Sequence, residues 1–424
     1  MVWEALCLQN RYNSCLLYLN STLFRKLALP LQRLRYIEKQ VMIQFKHTLT
    51  VFALLLSSYA AFAQGETSNW YFGKGAGLIF RGDTVTAVVN SRLHTEEGSA
   101  TISDKAGNLL FYTNGITVWN KHHRVMPNGN GLMGMKSSTQ SALIVPKPAA
   151  DSVFYIFTTD IQAQSNGLRY SIVNMNKDDG NGAVTARNVF LIAPATEKLT
   201  AIRHSNNRDW WVIAHRWNSN AYMAYLVTAE GVNTEPVMSN VGTVHGGAHR
   251  KAIGYLVPSP DGTRLAAALW DSESNFEVLR FNRSTGEVSD PVLLKGYEEA
   301  YGVCFSPDGT KLYGTANGKG GGKAQIIQFD LQAGDEAAIA KSAVVVGMSG
   351  SPRIGAIQLG PNGKMYVARQ DNIHLGVINN PNALGKESGY VDTGFHLGGR
   401  KSDLGLPNFP QGIQSGAGRS ANVR

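Results

Sequence analysis

Leu256-Val257-Pro258-Ser259-Pro260-Asp261-Gly262-Thr263-Arg264-Leu265 contains the unit from which this chain is built. An apolar run enters a Ser-Pro-Asp-Gly turn and a second apolar run leaves it. Proline pre-sets the turn backbone, aspartate caps it, and glycine takes the positive φ that other residues resist. The wording returns at Ser306-Pro307-Asp308-Gly309 and, relaxed, at Gly360-Pro361-Asn362-Gly363. The flanking runs are GYLVP and TRLAAALW, YGVCF and TKLYGTA, AIQLG and KMYVAR. Each is strand, turn, strand.

Relaxing the turn further extends the repeat toward the N-terminus. ATISD leads through Gly107 into NLLFYT, SALIVPKP through Asp151 into SVFYIFTTD, and LTAIR through Asn207 into DWWVIAH. The turn markers fall near 107, 151, 207, 262, 309 and 363, about 51 residues apart on average. A third strand follows each pair (ITVWN, LRYSIVNM, AYMAYLVT, FEVLRFN, AQIIQFD, HLGVINN), and outer strands such as PVLLKG and SAVVVG come after some of these. Four short strands recurring at about 40–50 residues is the pattern of propeller blades. A β-helix needs a shorter period, and a sandwich would not repeat its turn motif six times.

Six blades are thus read directly, and the two ends supply a seventh. NWYFG, GLIF and TVTAVVN (within 69–90) lack an inner strand, and GLPNF (405–409) has no blade behind it. The expected fold is all-β: a seven-bladed propeller of four-stranded blades, closed by strands 69–90 together with a C-terminal strand over 405–411. Closure removes sheet edges that an open ring would expose. The alternative is six blades with loose ends. A chain of 424 residues exceeds one ordinary core, but each repeat adds its own layer.

From Met42 the chain reads MIQFKHT, then the apolar LTVFALLLSSYAAF, then Ala61-Phe62-Ala63-Gln64. A cationic start, an apolar stretch and an A-x-A site predict a signal peptide over 42–63. As a helix that stretch would span roughly 21 Å, short of the ~30 Å hydrocarbon core, so no transmembrane span is expected after cleavage. Residues 1–41 read as a mispredicted extension, 64–414 as a single propeller domain, and 415–424 as a disordered tail.

Seven of the 40 bases and two of the 31 acids lie in residues 1–64, leaving 33 against 29, a net charge of about +4. That balance withdraws the main support for nucleic-acid binding. Cys7 and Cys15 also precede the mature chain, so Cys304 stands alone in an apolar run, a small buried hydrophobe with no disulfide or Cys-based zinc site.

Motifs with chemical content are sparse. His245-Gly246-Gly247-Ala248-His249 places two imidazoles four apart, but on a glycine-rich loop rather than a helix face. His122 and His123 are adjacent and would point to opposite sides of a strand. Asn317-Gly318-Lys319-Gly320-Gly321-Gly322-Lys323 precedes a strand, whereas a Walker loop opens a helix. Asp178-Asp179 reads as a solvated hairpin. No cofactor or metal is expected, and no catalytic residue is assigned.

Propeller geometry gives a better location. Inner strands begin around the axis, so their first residues converge there. The candidates are Glu97, Gln140, Glu197, Lys198, Glu299, Tyr301, Arg353 and Asn408, with His204 and His245 as the imidazoles of a possible site. Converging polar groups are how binding sites are built, although solvated channel lining has the same composition. Trp119, Trp217 and Trp270 could alternatively furnish a sugar- or protein-binding face, or pack between sheets.

In combination, NWYFG (69–73), EGSATISD (97–104), GNLLFYTNGITVWNKHHRVMPNG (107–129), SSTQSALIVPKP (137–148), EKLTAIRH (197–204), LGVINNPN (375–382) and GLPNF carry a resemblance over roughly 69–411. The chain resembles the N-terminal propeller region of Bacteroidota cell-surface proteins that bear gliding-motility-associated or type IX secretion sorting domains. The resemblance implies export and a surface, secreted or periplasmic location. It brings no catalytic residues with it. Those proteins usually continue into Ig-like repeats and a sorting domain that the sequence after GLPNF lacks, so a stand-alone propeller or a truncated gene is expected. The functional expectation is a non-enzymatic binding or scaffold module for a protein or glycan, a monomer or part of a larger surface assembly. The alternative is an extracytoplasmic hydrolase, lactonase-like or glycan-directed, with Glu97, Glu197, Glu299, His204 and His245 as its acid–base or ligand groups.

Overall fold

Ser259 Oγ donates to Asp261 Oδ1 (2.5 Å), and Thr263 N–H donates to the same oxygen (3.0 Å), while Gly262 takes φ +72°. Ser306, Asp308 and Thr310 repeat the arrangement at 2.5 and 3.0 Å. The aspartate thus closes its own turn, as the repeat requires. A computed structural model describes residues 65–270, 275–318 and 322–413. The expectations for 1–41, for the signal over 42–63 and for the tail 415–424 lie outside the described residues.

Among the described residues twenty-seven strands form seven antiparallel sheets. Blade 1 contains β1 (Asn69–Phe72), β2 (Ala76–Arg81) and β3 (Thr84–Val88). Blade 2 has β4 (Ala100–Ser103), β5 (Leu109–Thr113), β6 (Thr117–Asn120) and β7 (Val125–Asn130). Blade 3 has β8 (Ala142–Pro146), β9 (Val153–Thr159), β10 (Leu168–Asn174) and β11 (Ala183–Ile192). Blade 4 has β12 (Ala195–Arg203), β13 (Trp210–Arg216), β14 (Ser219–Val227) and β15 (Val237–His245). Blade 5 has β16 (Leu256–Pro258), β17 (Arg264–Ala268), β18 (Asn275–Phe281) and β19 (Val288–Lys295). Blade 6 has β20 (Ala300–Phe305), β21 (Lys311–Ala316), β22 (Gln325–Asp330) and β23 (Val344–Met348). Blade 7 has β24 (Ile354–Leu359), β25 (Met365–Arg369), β26 (His374–Ile378) and β27 (Tyr390–His396). The chain is a seven-bladed β-propeller.

The core lies between blades. One apolar cluster runs through blades 5, 6, 7 and 1, from Phe276 and Phe329 to Tyr366, Trp70 and Phe80; another joins blades 2 to 4 through Phe111, Phe157 and Trp210. Cys304 is buried among apolar neighbours, and burial pushes its thiol up to about 12.

The ring closes through residues 404–409, which run between the inner strands of blades 7 and 2 beside the three-stranded blade 1. They are held by backbone bonds and the isolated bridge Ser99–Pro407 rather than as a strand paired with β1. Leu404 N–H donates to Glu96 O (2.9 Å), Ala356 N–H donates to Leu404 O (2.8 Å), and Asn408 N–H donates to Ser99 O (2.8 Å). These bonds tie the segment to the inner regions of blades 7 and 2. The Phe409 ring lies 6.1 Å from that of Trp70 in β1. Inner strands abut without side-chain spacers here. A Cβ on Gly302 would overlap Gly355 O, one on Gly355 would overlap Leu404 O, and one on Gly405 would overlap Glu97 O. The segment then crosses the axis rather than ending there: Gln411 N–H donates to Ala201 O (2.8 Å), and Gln411 O accepts from Arg203 N–H (3.2 Å), both partners in β12. Among the described residues no helix is long and apolar enough to cross a membrane.

Candidate functional site

The face where inner strands begin gathers six of the ten predicted site residues into one buried hub. Glu197, in β12, accepts from Thr139 N–H (2.7 Å), Thr139 Oγ1 (2.5 Å) and Gln162 N–H (2.7 Å). Gln140 spans three blades, with Oε1 accepting from Leu199 N–H (3.1 Å) and Leu256 N–H (2.8 Å) and Nε2 donating to Leu256 O (3.0 Å). Tyr301 of blade 6 reaches across to Glu97, its hydroxyl donating to Oε2 at 2.8 Å. Asn408 Nδ2 donates to Leu199 O (2.8 Å), and Lys198 Nζ donates to Ile253 O (3.0 Å). Glu197 and Lys198 are fully buried, and Glu97 is only 8% exposed. The expected solvated or ligand-lined channel is instead packed with side chains and crossed by 404–413.

The other four residues fall elsewhere. His204 follows the far end of β12, at the opposite end of that strand from Glu197, where its Nδ1 accepts from Asn206 N–H (3.0 Å). Glu299 and Arg353 stand at the rim as an ion pair at 3.8 Å, with Arg353 also over Trp270. His245 ends the outermost strand of blade 4 and stacks on His215, ring centroids 3.7 Å apart. His249 turns away from it to stack on Trp217, so the two imidazoles of the loop do not share a site. Among the described residues no three His, Cys, Asp or Glu side chains are grouped as metal ligands. Trp217 and Trp270 are buried and Trp119 stacks on Tyr112 (5.4 Å), so they pack rather than form an exposed aromatic face.

A second buried cluster, between blades 4 and 5, escaped the sequence reading. Glu277 accepts from the Tyr222 hydroxyl (2.9 Å) and from Thr243 N–H (2.9 Å). Its only sequence signal is a carboxylate within the apolar run Phe276-Glu277-Val278-Leu279. Burial lowers Lys198 to about 7, against the pull of Glu197 and Glu277, and lowers His215 to about 3. Burial, then the neighbouring His215 and Lys198, likewise holds the His245 imidazole well below its ordinary 6.5.

Burial, then repulsion from Glu197, pushes the Glu97 carboxyl well above its ordinary 4.5, and the Tyr301 hydrogen bond opposes this. A carboxyl raised by folding binds its proton more tightly in the native state. Its stabilising contribution is present below pH 4.5 and is lost as pH rises through the folded value. Glu97→Gln removes that titration and keeps an oxygen for Tyr301. The melting temperature of the variant relative to the parent is expected to climb as pH rises from about 4 to about 8. A difference independent of pH would show that Glu97 is not held against its charge.

Chemically, the hub is a set of acceptors already matched to fixed donors. Of the five acid–base or ligand groups that the hydrolase reading needs, only Glu97 and Glu197 meet.

No protein-family model matches this chain, and no curated protein does. Solved structures similar to it include a 6-phosphogluconolactonase so assigned only provisionally, from Bacteroides uniformis (13% identity, 78% of this chain and 98% of that one, TM-score 0.46). The Dos1 propeller (11% identity, 82% and 95%, TM-score 0.44) and the Cps50 (Swd1) propeller domain of Myceliophteria thermophila (11%, 72% and 94%, TM-score 0.41) are others. At these values the likeness says nothing about activity.

Proposed function

We propose that this chain is an exported, non-enzymatic binding or scaffold module of a Bacteroidota surface or secreted assembly, engaging a protein or glycan through a face of the ring. The observation that carries the reading is the axis itself. Its carboxylates accept from the protein's own donors, and the C-terminal segment occupies the space a ligand would need. What remains outward is a rigid ring with loops on two faces, the arrangement on which binding surfaces are built. Export rests on the segment Met42–Ala63 and on the family resemblance of the sequence.

The full-length gene, expressed in a Bacteroidota host, tests both halves. Exported protein should begin at Gln64, whereas material retaining Met1 would remove the export claim. Binding to an oligosaccharide panel or to outer-membrane protein extracts should survive Glu97→Gln. Turnover of a lactone or glycoside by the parent, lost in that variant, would install the hydrolase reading instead.

A further inference from the structure

On the face opposite the start of the inner strands, the turn after β16 and the end of β18 enclose an open cleft of about 700 Å³, within the range of small-ligand sites. Three guanidinium groups line it: Arg264, Arg280 and Arg283. We propose that this cleft binds an oxyanion (a carboxylate, sulfate or phosphate group carried by a soluble ligand).

The case rests on how the arginines are partnered. Arg283 is held by neutral acceptors: Nε donates to Arg203 O (2.9 Å), Nη1 to Asp261 O (3.4 Å), and Nη2 to His204 O (3.5 Å) and Asn207 Oδ1 (3.4 Å). Arg264 Nη2 donates to Gly309 O (2.5 Å), with its guanidinium over the Phe305 ring. Carbonyls fix orientation but do not cancel charge. Arg280 has one carboxylate partner, Asp290 at 3.4 Å, and both side chains are more than two-thirds exposed, so that pair is easily exchanged.

The carboxylate in the lining, Asp261, is committed to its own turn. Its Oδ1 accepts from Ser259 Oγ (2.5 Å) and Thr263 N–H (3.0 Å), and its Oδ2 from Thr263 Oγ1 (2.8 Å). The lining therefore holds three cations against one anion. A guanidinium presents its donors in a planar fork that fits an oxyanion bidentately. Arg283, with four of its five donors engaged, supplies fixed positive charge rather than a free fork, and Arg264 is held by Gly309 O, so neither has to be ordered when a ligand arrives. Arg280 is the movable arm that exchanges Asp290 for the ligand. This site rests on the reading of the chain as a binding module and gives that reading a ligand class.

The test is a calorimetric titration of the purified full chain at constant ionic strength with three probes: sodium sulfate, inorganic phosphate and an oligogalacturonate. Saturable one-site binding of at least one probe is expected, weakened about tenfold in Arg280→Ala, the scale of one lost charge-assisted contact. Arg208→Ala, which removes an exposed cation that is not part of the cleft lining, should leave binding unchanged. Preference among the probes separates a sugar acid from a free inorganic anion. Equal weakening in the two variants, or no saturation by any probe, overturns the cleft. Glycan or protein capture that persists in Arg280→Ala while no oxyanion binds would leave the binding-module reading standing without this site.

Discussion

Gly405→Val is expected to abolish cooperative folding, giving aggregated protein and no sigmoidal melt by circular dichroism. Gly405 sits where the closing segment presses on blade 2, and any Cβ there would overlap the Glu97 carbonyl. The neighbours cannot retreat. Leu404 is bonded on one side to Glu96 and on the other to Ala356, and Asn408 is anchored at Ser99. Relief therefore requires lifting 404–409 out of the ring. That uncovers Leu404, Leu406 and the Trp70 side of blade 1, all now buried. A penalty above about 4–5 kcal/mol belongs to the exceptional class of single substitutions and consumes most of the ~5–15 kcal/mol that a native domain possesses. Deleting 403–424 should have the same outcome by removing the segment altogether. Gly350→Ala makes the contrast, because its Cβ would meet nothing nearer than an Asp392 carboxylate oxygen at 3.7 Å. If Gly405→Val melts within a few degrees of the parent, the closing segment is not wedged and the ring is held by the blades alone.

The blades were legible because their signal is local. A Ser-Pro-Asp-Gly turn closes on its own side chains, so its meaning survives without knowledge of the rest of the chain. Closure was legible by subtraction, since blade 1 lacked an inner strand and GLPNF lacked a blade. The crossing of Gln411 to β12 was not, because no pattern in PQGI marks a segment that bridges to a distant blade. Convergence of Glu97, Gln140, Glu197, Lys198, Tyr301 and Asn408 followed from strand order alone. What strand order cannot give is depth along the axis. Thus His204, nominated with the same group, emerges beyond the far end of β12, whose nine residues carry it away from Glu197. Glu299 and Arg353, each one residue ahead of its strand, pair with each other at the rim, although Glu97 and Gln140, further ahead of theirs, are buried. The pairs Tyr222–Glu277 and His215–His245 join residues of adjacent blades or of one blade's second and fourth strands, separations over which sequence carries no pairing signal.

Glu197→Ala is expected to cost about 3–5 kcal/mol in urea unfolding, the price of leaving buried partners without their counter-charge. Three donors lose their acceptor at once: Thr139 N–H, Thr139 Oγ1 and Gln162 N–H. Lys198, fully buried beside it, loses the first of the two carboxylates that favour its charge. The conservative variant separates hydrogen bonding from charge. In Glu197 both oxygens accept, Oε2 from Thr139 and Oε1 from Gln162, so the amide of Glu197→Gln must turn its NH2 toward one set of donors. The weaker anchor is the Gln162 turn, where Gln162 itself holds a left-handed backbone (φ +47°) that a non-glycine residue adopts at a cost of about 1 kcal/mol or more. Glu197→Gln should therefore lose about 1–3 kcal/mol and open the 160–164 turn to proteolysis before global unfolding. Glu97→Gln keeps an oxygen for the tyrosine hydroxyl and gives up only the longer acceptance from Ser137 Oγ (3.4 Å), so it should lose less than Glu197→Gln at neutral pH. If instead Glu197→Gln matches the parent, the Gln162 turn stands without its acceptor, and the hub is filled space rather than the fastening between axis and face.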